Sequence, residues 1–139
     1  MRSLGLDLGD RRTGVAISDP QGFLAIPLTV LSNKDEDATI ANILKLAKQY
    51  QVERIVIGLP YSLDGNLGRQ ANKVTAFAEK LSQYAKFDIQ LWDERLSTKA
   101  AEKLMVEAGT KRNRRNQHRD AVAAAFILQG FLDSRCPER

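Results

Sequence analysis

The sequence predicts an α/β fold, a five-stranded mixed sheet with helices on both faces. Two observations carry that prediction. Apolar residues alternate with period two near the start, in stretches separated by short turns. After about residue 35 the apolar spacing becomes helical, and helical stretches alternate with short apolar runs, a pattern that implies parallel pairing. The length of 139 residues suits one domain spanning 1–139.

Leu4, Leu6 and Leu8 alternate with Gly5, Asp7 and Gly9, which makes the first strand. A turn at Asp10-Arg11-Arg12 leads to a second strand over Thr13 to Ser18, closed by Asp19-Pro20-Gln21-Gly22. The third stretch, Phe23 to Leu31, contains Pro27 and is therefore expected at an edge or a bulge. Three strands joined by short turns form an antiparallel meander. Ile40, Ile43, Leu44 and Ala47 then mark a first helix, opened by the acidic turn Asp35-Glu36-Asp37 that suits a helix N-terminus. Ile55-Val56-Ile57-Gly58 reads as a buried strand. A loop from Gly58 to Gly68 precedes a second helix marked by Val74, Phe77, Ala78 and Leu81. Phe87 to Trp92 is a further strand. Ser97 is a fitting N-cap for a third helix through Ala100, Ala101, Leu104 and Met105, ending at Gly109. A final helix is expected from roughly Gln117 to Asp133.

Composition narrows the function. With 43% hydrophobic and 27% charged residues the chain is expected to fold rather than stay disordered. A single cysteine, Cys136, and a single histidine, His118, exclude an internal disulfide and a Cys/His zinc cluster, and a reducing cytoplasmic setting is expected. The longest apolar run, Ala121 to Leu128, is far shorter than the roughly 20 residues of a membrane span, so no membrane partner is expected. The net charge is +4, and its distribution is uneven. Lys111, Arg112, Arg114, Arg115 and Arg119 fall in a nine-residue stretch with no acid, and the remainder holds sixteen basic against seventeen acidic residues. Most charge runs are solvated loops, but this one directly precedes an acid on an apolar helix face, which favours contact with nucleic acid.

That acid is Asp120, which shares a helical face with Ala124, Ile127 and Phe131. A carboxylate on a core-facing stripe has to be paired, capped or bound to metal. A position near the positive helix end is the plainer account. Asp7 lies between two glycines on the first strand, which leaves room for a metal ion or phosphate near the backbone. Asp93 and Glu94 end a strand, where open α/β sheets place ligand groups. They point to opposite faces, so at most one joins Asp7, and either could instead pair with Arg95 or open the next helix. Carboxylates from two strand ends and a helix suit Mg²⁺ or Mn²⁺, ions that keep positions open for substrate phosphate.

Four blocks of the sequence resemble one family in order and spacing. They are Gly5-Leu-Asp-Leu-Gly9 with Arg12, Gly14, Val15, Ala16 and Asp19; Val56-Ile-Gly-Leu-Pro60 with Asp64-Gly65; Asp93-Glu-Arg-Leu-Ser-Thr98; and Asp120-Ala-Val-Ala-Ala124 with Ile127, Leu128, Gln129 and Leu132. Together they resemble the YqgF/RuvX family, ribonuclease H-like proteins described as Holliday-junction-resolvase-like and as pre-16S rRNA nucleases. The resemblance spans essentially the whole chain. It implies a ribonuclease H-like fold with the second strand antiparallel, and a Mg²⁺-dependent nuclease in 5′-end maturation of pre-16S rRNA. Asp7, Glu94 and Asp120 would be catalytic and hold metal, with Asp93 as the alternate. Arg11, Arg12, Lys111, Arg112, Arg114, Arg115, His118 and Arg119 would contact nucleic acid. The chain departs from the family at Arg119, where an aliphatic residue is common, and at Tyr61-Ser62-Leu63; neither departure touches an acid.

Other readings compete with this one. Four-way DNA is the alternative substrate and favours a homodimer, whereas rRNA trimming is open to a monomer. A non-catalytic nucleic-acid-binding adaptor would use the same basic stretch. Asp7-Leu-Gly9 with Thr13-Gly14 also resembles the phosphate loop of actin- and sugar-kinase-like ATPases, but this length leaves no room for their second domain. A Ser-His-Asp hydrolase lacks support, since the lone His118 has no nucleophile motif beside it.

Overall fold

A computed structural model describes residues 1–59, 68–84, 87–93 and 112–135. Its strands are β1 (Ser3–Leu8), β2 (Arg12–Ser18), β3 (Ala25–Ser32), β4 (Arg54–Leu59) and β5 (Asp88–Asp93). Its helices are α1 (Glu36–Gln49), α2 (Arg69–Ser82) and α3 (Arg112–Ser134). The sheet order is β3-β2-β1-β4-β5. β2 runs antiparallel to β1 and β3, while β4 is parallel to β1 and β5. The third helix expected from Ser97 lies outside the described residues.

Alternation along the strands divides the core in two. Leu4, Leu6, Ile17, Ile55 and Ile57 face α1 and α2, packing with Ile40, Ile43, Val74, Phe77 and Leu81. Ala16 and Val56 face the other way, toward Ala124, Ile127, Leu128 and Phe131 of α3. The sheet is thus covered on both faces, which accounts for the continuous apolar run of β4.

Capping follows the expected chemistry in α1. Asp35 is its N-cap, and its Oδ1 accepts from the Asp37 N–H at 3.1 Å. β3 occupies an edge, and the register with β2 shifts so that Val15 pairs with Thr29 and Ala16 with Pro27, leaving Leu28 as the extra residue of a bulge. The proline therefore sits where no ladder hydrogen bond is lost.

Two boundaries differ from the sequence reading by more than one residue. β3 begins at Ala25 rather than Phe23, because the Asp19 carboxylate captures the intervening backbone. It accepts from the N–H groups of Gln21 at 3.2 Å, Phe23 at 2.7 Å and Leu24 at 2.8 Å. The final helix begins at Arg112, several residues before Gln117, so the basic stretch is helical rather than a loop. Arg112 to Arg119 contains neither glycine nor proline, and arginine and glutamine are good helix formers.

The Asp19 carboxyl is held below its ordinary value of 3.8, chiefly by the Leu24 N–H and further by those of Phe23 and Gln21, against a cost from burial. A depressed carboxylate stabilises the fold above the unfolded value and ceases to do so as pH falls through the folded one. Asp19→Ala should therefore melt below the parent protein at pH 7. Calorimetry at descending pH should show the gap closing below 3.8.

Candidate metal-dependent active site

The site is built on a close approach between α3 and the sheet. Asp7 of β1 pairs directly with Gly14 of β2, so both positions face the same side. A Cβ on Gly14 would coincide with the backbone carbonyl oxygen of Asp120. A Cβ on Gly5, two residues before Asp7, would lie 2.8 Å from Leu128 Cβ and 3.0 Å from the Ala124 carbonyl oxygen. Both glycines leave space that the helix backbone fills. Cβ atoms directly opposed on antiparallel strands stand about 5 Å apart, so the Asp120 backbone lies about one side-chain length from Asp7. Small residues on the facing stripe, Ala121 and Ala124, allow the same proximity and are buried.

The Asp120 side chain is only 27% exposed. Its Oδ2 lies 2.9 Å from Nε of Arg12 yet is buried and accepts no well-aligned hydrogen bond. The contact is thus a close ion pair with imperfect hydrogen-bond alignment, made by an oxygen shielded from water. Burial raises the Asp120 pKa above 3.8, with the charges of Arg12 and Arg119 pulling the other way. Asp120 lies more than two turns into α3, beyond the reach of the helix N-terminal dipole, so the dipole account of this acid is set aside.

Arg12 is positioned by the β1–β2 turn. The Gly9 N–H donates to the Arg12 carbonyl at 2.8 Å, and the Asn33 N–H donates to the Arg11 carbonyl at 2.9 Å. Asn33 Nδ2 donates to the Gly9 carbonyl at 2.7 Å, while Thr13 Oγ1 donates to Asn33 Oδ1 at 2.6 Å. This network fixes the backbone from which Arg11 and Arg12 extend.

Of the other expected residues, Asp93 pairs with Leu59, whose side chain belongs to the α1/α2 core. Alternation therefore places Asp93 on the face away from Asp7. Glu94 and Lys111 lie outside the described residues. Among the described residues, no three of His, Cys, Asp and Glu gather into a metal-holding group. Arg11 and Arg119 are exposed, and Arg112, Arg114, Arg115 and His118 belong to the first two turns of α3. The sequence reading overlooked the roles of Gly14 and Asn33. A glycine inside an otherwise apolar strand is a recognisable cue for close backbone approach; Asn33 offers no comparable cue.

A family model described as RuvX, Holliday junction resolvase, matches residues 1–134. The chain is 46% identical over 134 residues to a Clostridium botulinum (strain Hall) protein named "Putative pre-16S rRNA nuclease", covering 96% of this chain and 98% of that one. A Clostridium novyi protein of the same name is 47% identical over 134 residues, covering 96% and 99%. Among solved structures, Thermus thermophilus RuvC in complex with Holliday junction substrate superposes with a TM-score of 0.65 at 15% identity, covering 99% of this chain and 96% of that one. Fowlpox virus resolvase with its substrate Holliday junction gives a TM-score of 0.60 at 11% identity, covering 98% and 99%. These likenesses show that the fold is ribonuclease H-like.

Because the Gly14 space is filled by helix backbone, Gly14→Ala should force α3 from the sheet and cost at least the ~1–3 kcal/mol of an overpacked core. Urea unfolding of the variant should show that loss, whereas Gly68→Ala, at a position with nothing near its Cβ, should not reproduce it.

Proposed function

The chain belongs to the RuvX family, matched over residues 1–134, and from that membership and the juxtaposition of Asp7 with Asp120 we propose that it is a metal-dependent nuclease acting on structured RNA in 5′-end maturation of pre-16S rRNA. The observation that carries the reading is the close packing at Gly14, which brings two acids from opposite ends of the sequence to one side of the sheet. The names of the curated relatives support the rRNA substrate.

The residues present fit a divalent cation. Asp120 Oδ2 is a buried oxygen without a hydrogen bond, and carboxylate oxygens are the preferred donors of Mg²⁺ and Mn²⁺. Asp7 and Asp120 would hold the ion, with Glu94 as third ligand. The ion supplies polarisation of the scissile phosphodiester and activation of water. Arg12, paired with Asp120 Oδ2 at 2.9 Å, offsets part of the burial that disfavours the charged carboxylate. Arg11 and the basic turns of α3 from Arg112 to Arg119 hold backbone phosphates, with His118 and Lys111 alongside.

A second reading, cleavage of four-way DNA, draws on the family's description as a Holliday junction resolvase. The two are separated by offering a pre-16S 5′ precursor and a four-way junction side by side, with Mg²⁺ or Mn²⁺. The precursor should be cut and the junction spared. Asp7→Asn should retain the fold by circular dichroism and lose more activity than the roughly 100-fold typical of a group behind a metal ligand. Full activity in that variant, free of host nuclease, would overturn the assignment.

The basic turns make a separate prediction. In Arg112→Ala/Arg115→Ala, RNA affinity should fall and the slope of log affinity against log salt should become shallower by about 1–2. Fluorescence anisotropy over a salt series reads both.

A further inference from the structure

A cleft of about 360 Å³ opens on the α1/α2 side of the sheet, at the end of β1. Its volume falls within the roughly 300–1,000 Å³ typical of small-ligand sites. The floor is apolar, made by Leu8 with the buried side chains of Val74 and Phe77. The walls carry two amides held by backbone. Asn33 Nδ2 donates to the Gly9 carbonyl at 2.7 Å, and Gln70 Nε2 donates to the Leu8 carbonyl at 3.1 Å. Each amide keeps a second N–H and a carbonyl lone pair for a ligand. The rim carries Asp10, Glu36 and Lys73. Lys73 Nζ stands 3.9 Å from Asp10, and Glu36 pairs with Lys80 at 3.1 Å, so both carboxylates retain acceptor positions.

Each rim acid is balanced by one lysine, Asp10 by Lys73 and Glu36 by Lys80, so the rim carries no excess positive charge to favour a phosphate. An apolar floor below fixed amides and acceptors suits a ring with apolar faces and a polar edge. The location suits the same occupant. Leu8, which lines the cleft, follows Asp7 directly on β1 and faces the opposite side of the sheet. Gly9 and Asp10 of the β1–β2 turn also line the cleft, so this turn is all that separates it from the face that carries Asp7.

We propose that this cleft receives one unpaired nucleobase, stacked on the floor formed by Leu8, Val74 and Phe77 and read at its edge by Asn33, Gln70 and the rim acids. Bases with an exocyclic amine are preferred over uracil, because carboxylates accept from that amine. The proposal rests on the nuclease reading for the source of the base, which is the substrate strand; a free nucleoside presents the same chemistry.

The test is metal-free titration of the full chain with adenosine, cytidine, uridine and a short single-stranded RNA, followed through the side-chain amide signals of Asn33 and Gln70 by NMR. Ala76 is exposed at the lip of the cleft, so Ala76→Trp closes it without entering the core. RNA, adenosine and cytidine should shift both amides, and uridine should do so less. Ala76→Trp should weaken RNA binding about tenfold at unchanged melting temperature. Glu36→Gln should narrow the preference for adenosine over uridine. Unmoved amides with RNA bound, or undiminished binding in Ala76→Trp, would overturn the proposal. Shifts with nucleosides but none with RNA overturn the substrate strand as the source. Because no step needs metal or turnover, absence of cleavage in a parallel assay would count against the nuclease reading alone.

Discussion

The contact between α3 and the β1–β2 pair is the constraint on which the rest of the molecule depends. Helix backbone meets strand backbone where Gly5 and Gly14 carry no side chain, and the Asp120 carbonyl occupies the position a Cβ would need. Dispersion attraction falls off steeply once a gap opens between packed atoms, so an approach this close is either kept whole or lost. Ala124, Ile127 and Leu128 pack on the sheet in the same register. Gln129 extends it outward, as its Oε1 accepts from the Ala25 N–H at 2.8 Å and its Nε2 donates to the Phe23 carbonyl at 2.9 Å. Helix and meander are thereby locked at both ends of the contact.

That packing sets the electrostatics. A helix standing farther from the sheet would leave Asp120 hydrated and ordinary. Here its Oδ2 is dry, its pKa is raised by burial, and Arg12 supplies the nearest positive charge from the strand beneath. Desolvated carboxylate oxygens are costly to keep charged, and the neighbouring Arg12 offsets part of that cost. Packing and charge are one arrangement, since the close approach that shields the carboxylate also sets the Asp120 backbone against the partner of Asp7, Gly14.

Much of this was legible in the sequence. Period-two alternation located β1, Pro27 placed β3 at an edge, and Asp35 to Asp37 marked the start of α1. All three are local signals, read from neighbours along the chain. The start of β3 was misread because Phe23 and Leu24 are apolar, while their backbone N–H groups are taken by a side chain that leads the turn, Asp19. The start of α3 was misread because a dense positive charge looks like a solvated loop, although no residue in it breaks a helix. Asp7 and Asp120 each stood out by their surroundings. That they belong together was expected from the donor chemistry and the family resemblance; the contact that joins them was not, because it is made by Gly14 and by register across the sheet, which no linear pattern records. The pairing of Arg12 with Asp120 was hidden for the same reason, and the cleft draws its walls from β1, the segment before α1, and α2.

Gln129 and Ala25, joined by hydrogen bond, are 104 positions apart, and the Gly14 contact spans a similar separation. The meander can form from its own short turns, but α3 emerges after every strand of the sheet. Closing so long a loop is entropically late in folding. A growing chain that has built its sheet still lacks one acid and the basic turns that precede it. The Gly14 contact is not yet made, so the Asp120 backbone still lies apart from β1 and β2. Under the proposed function, topology would delay cutting until synthesis has passed α3, so the chain would be harmless to RNA while it is being made.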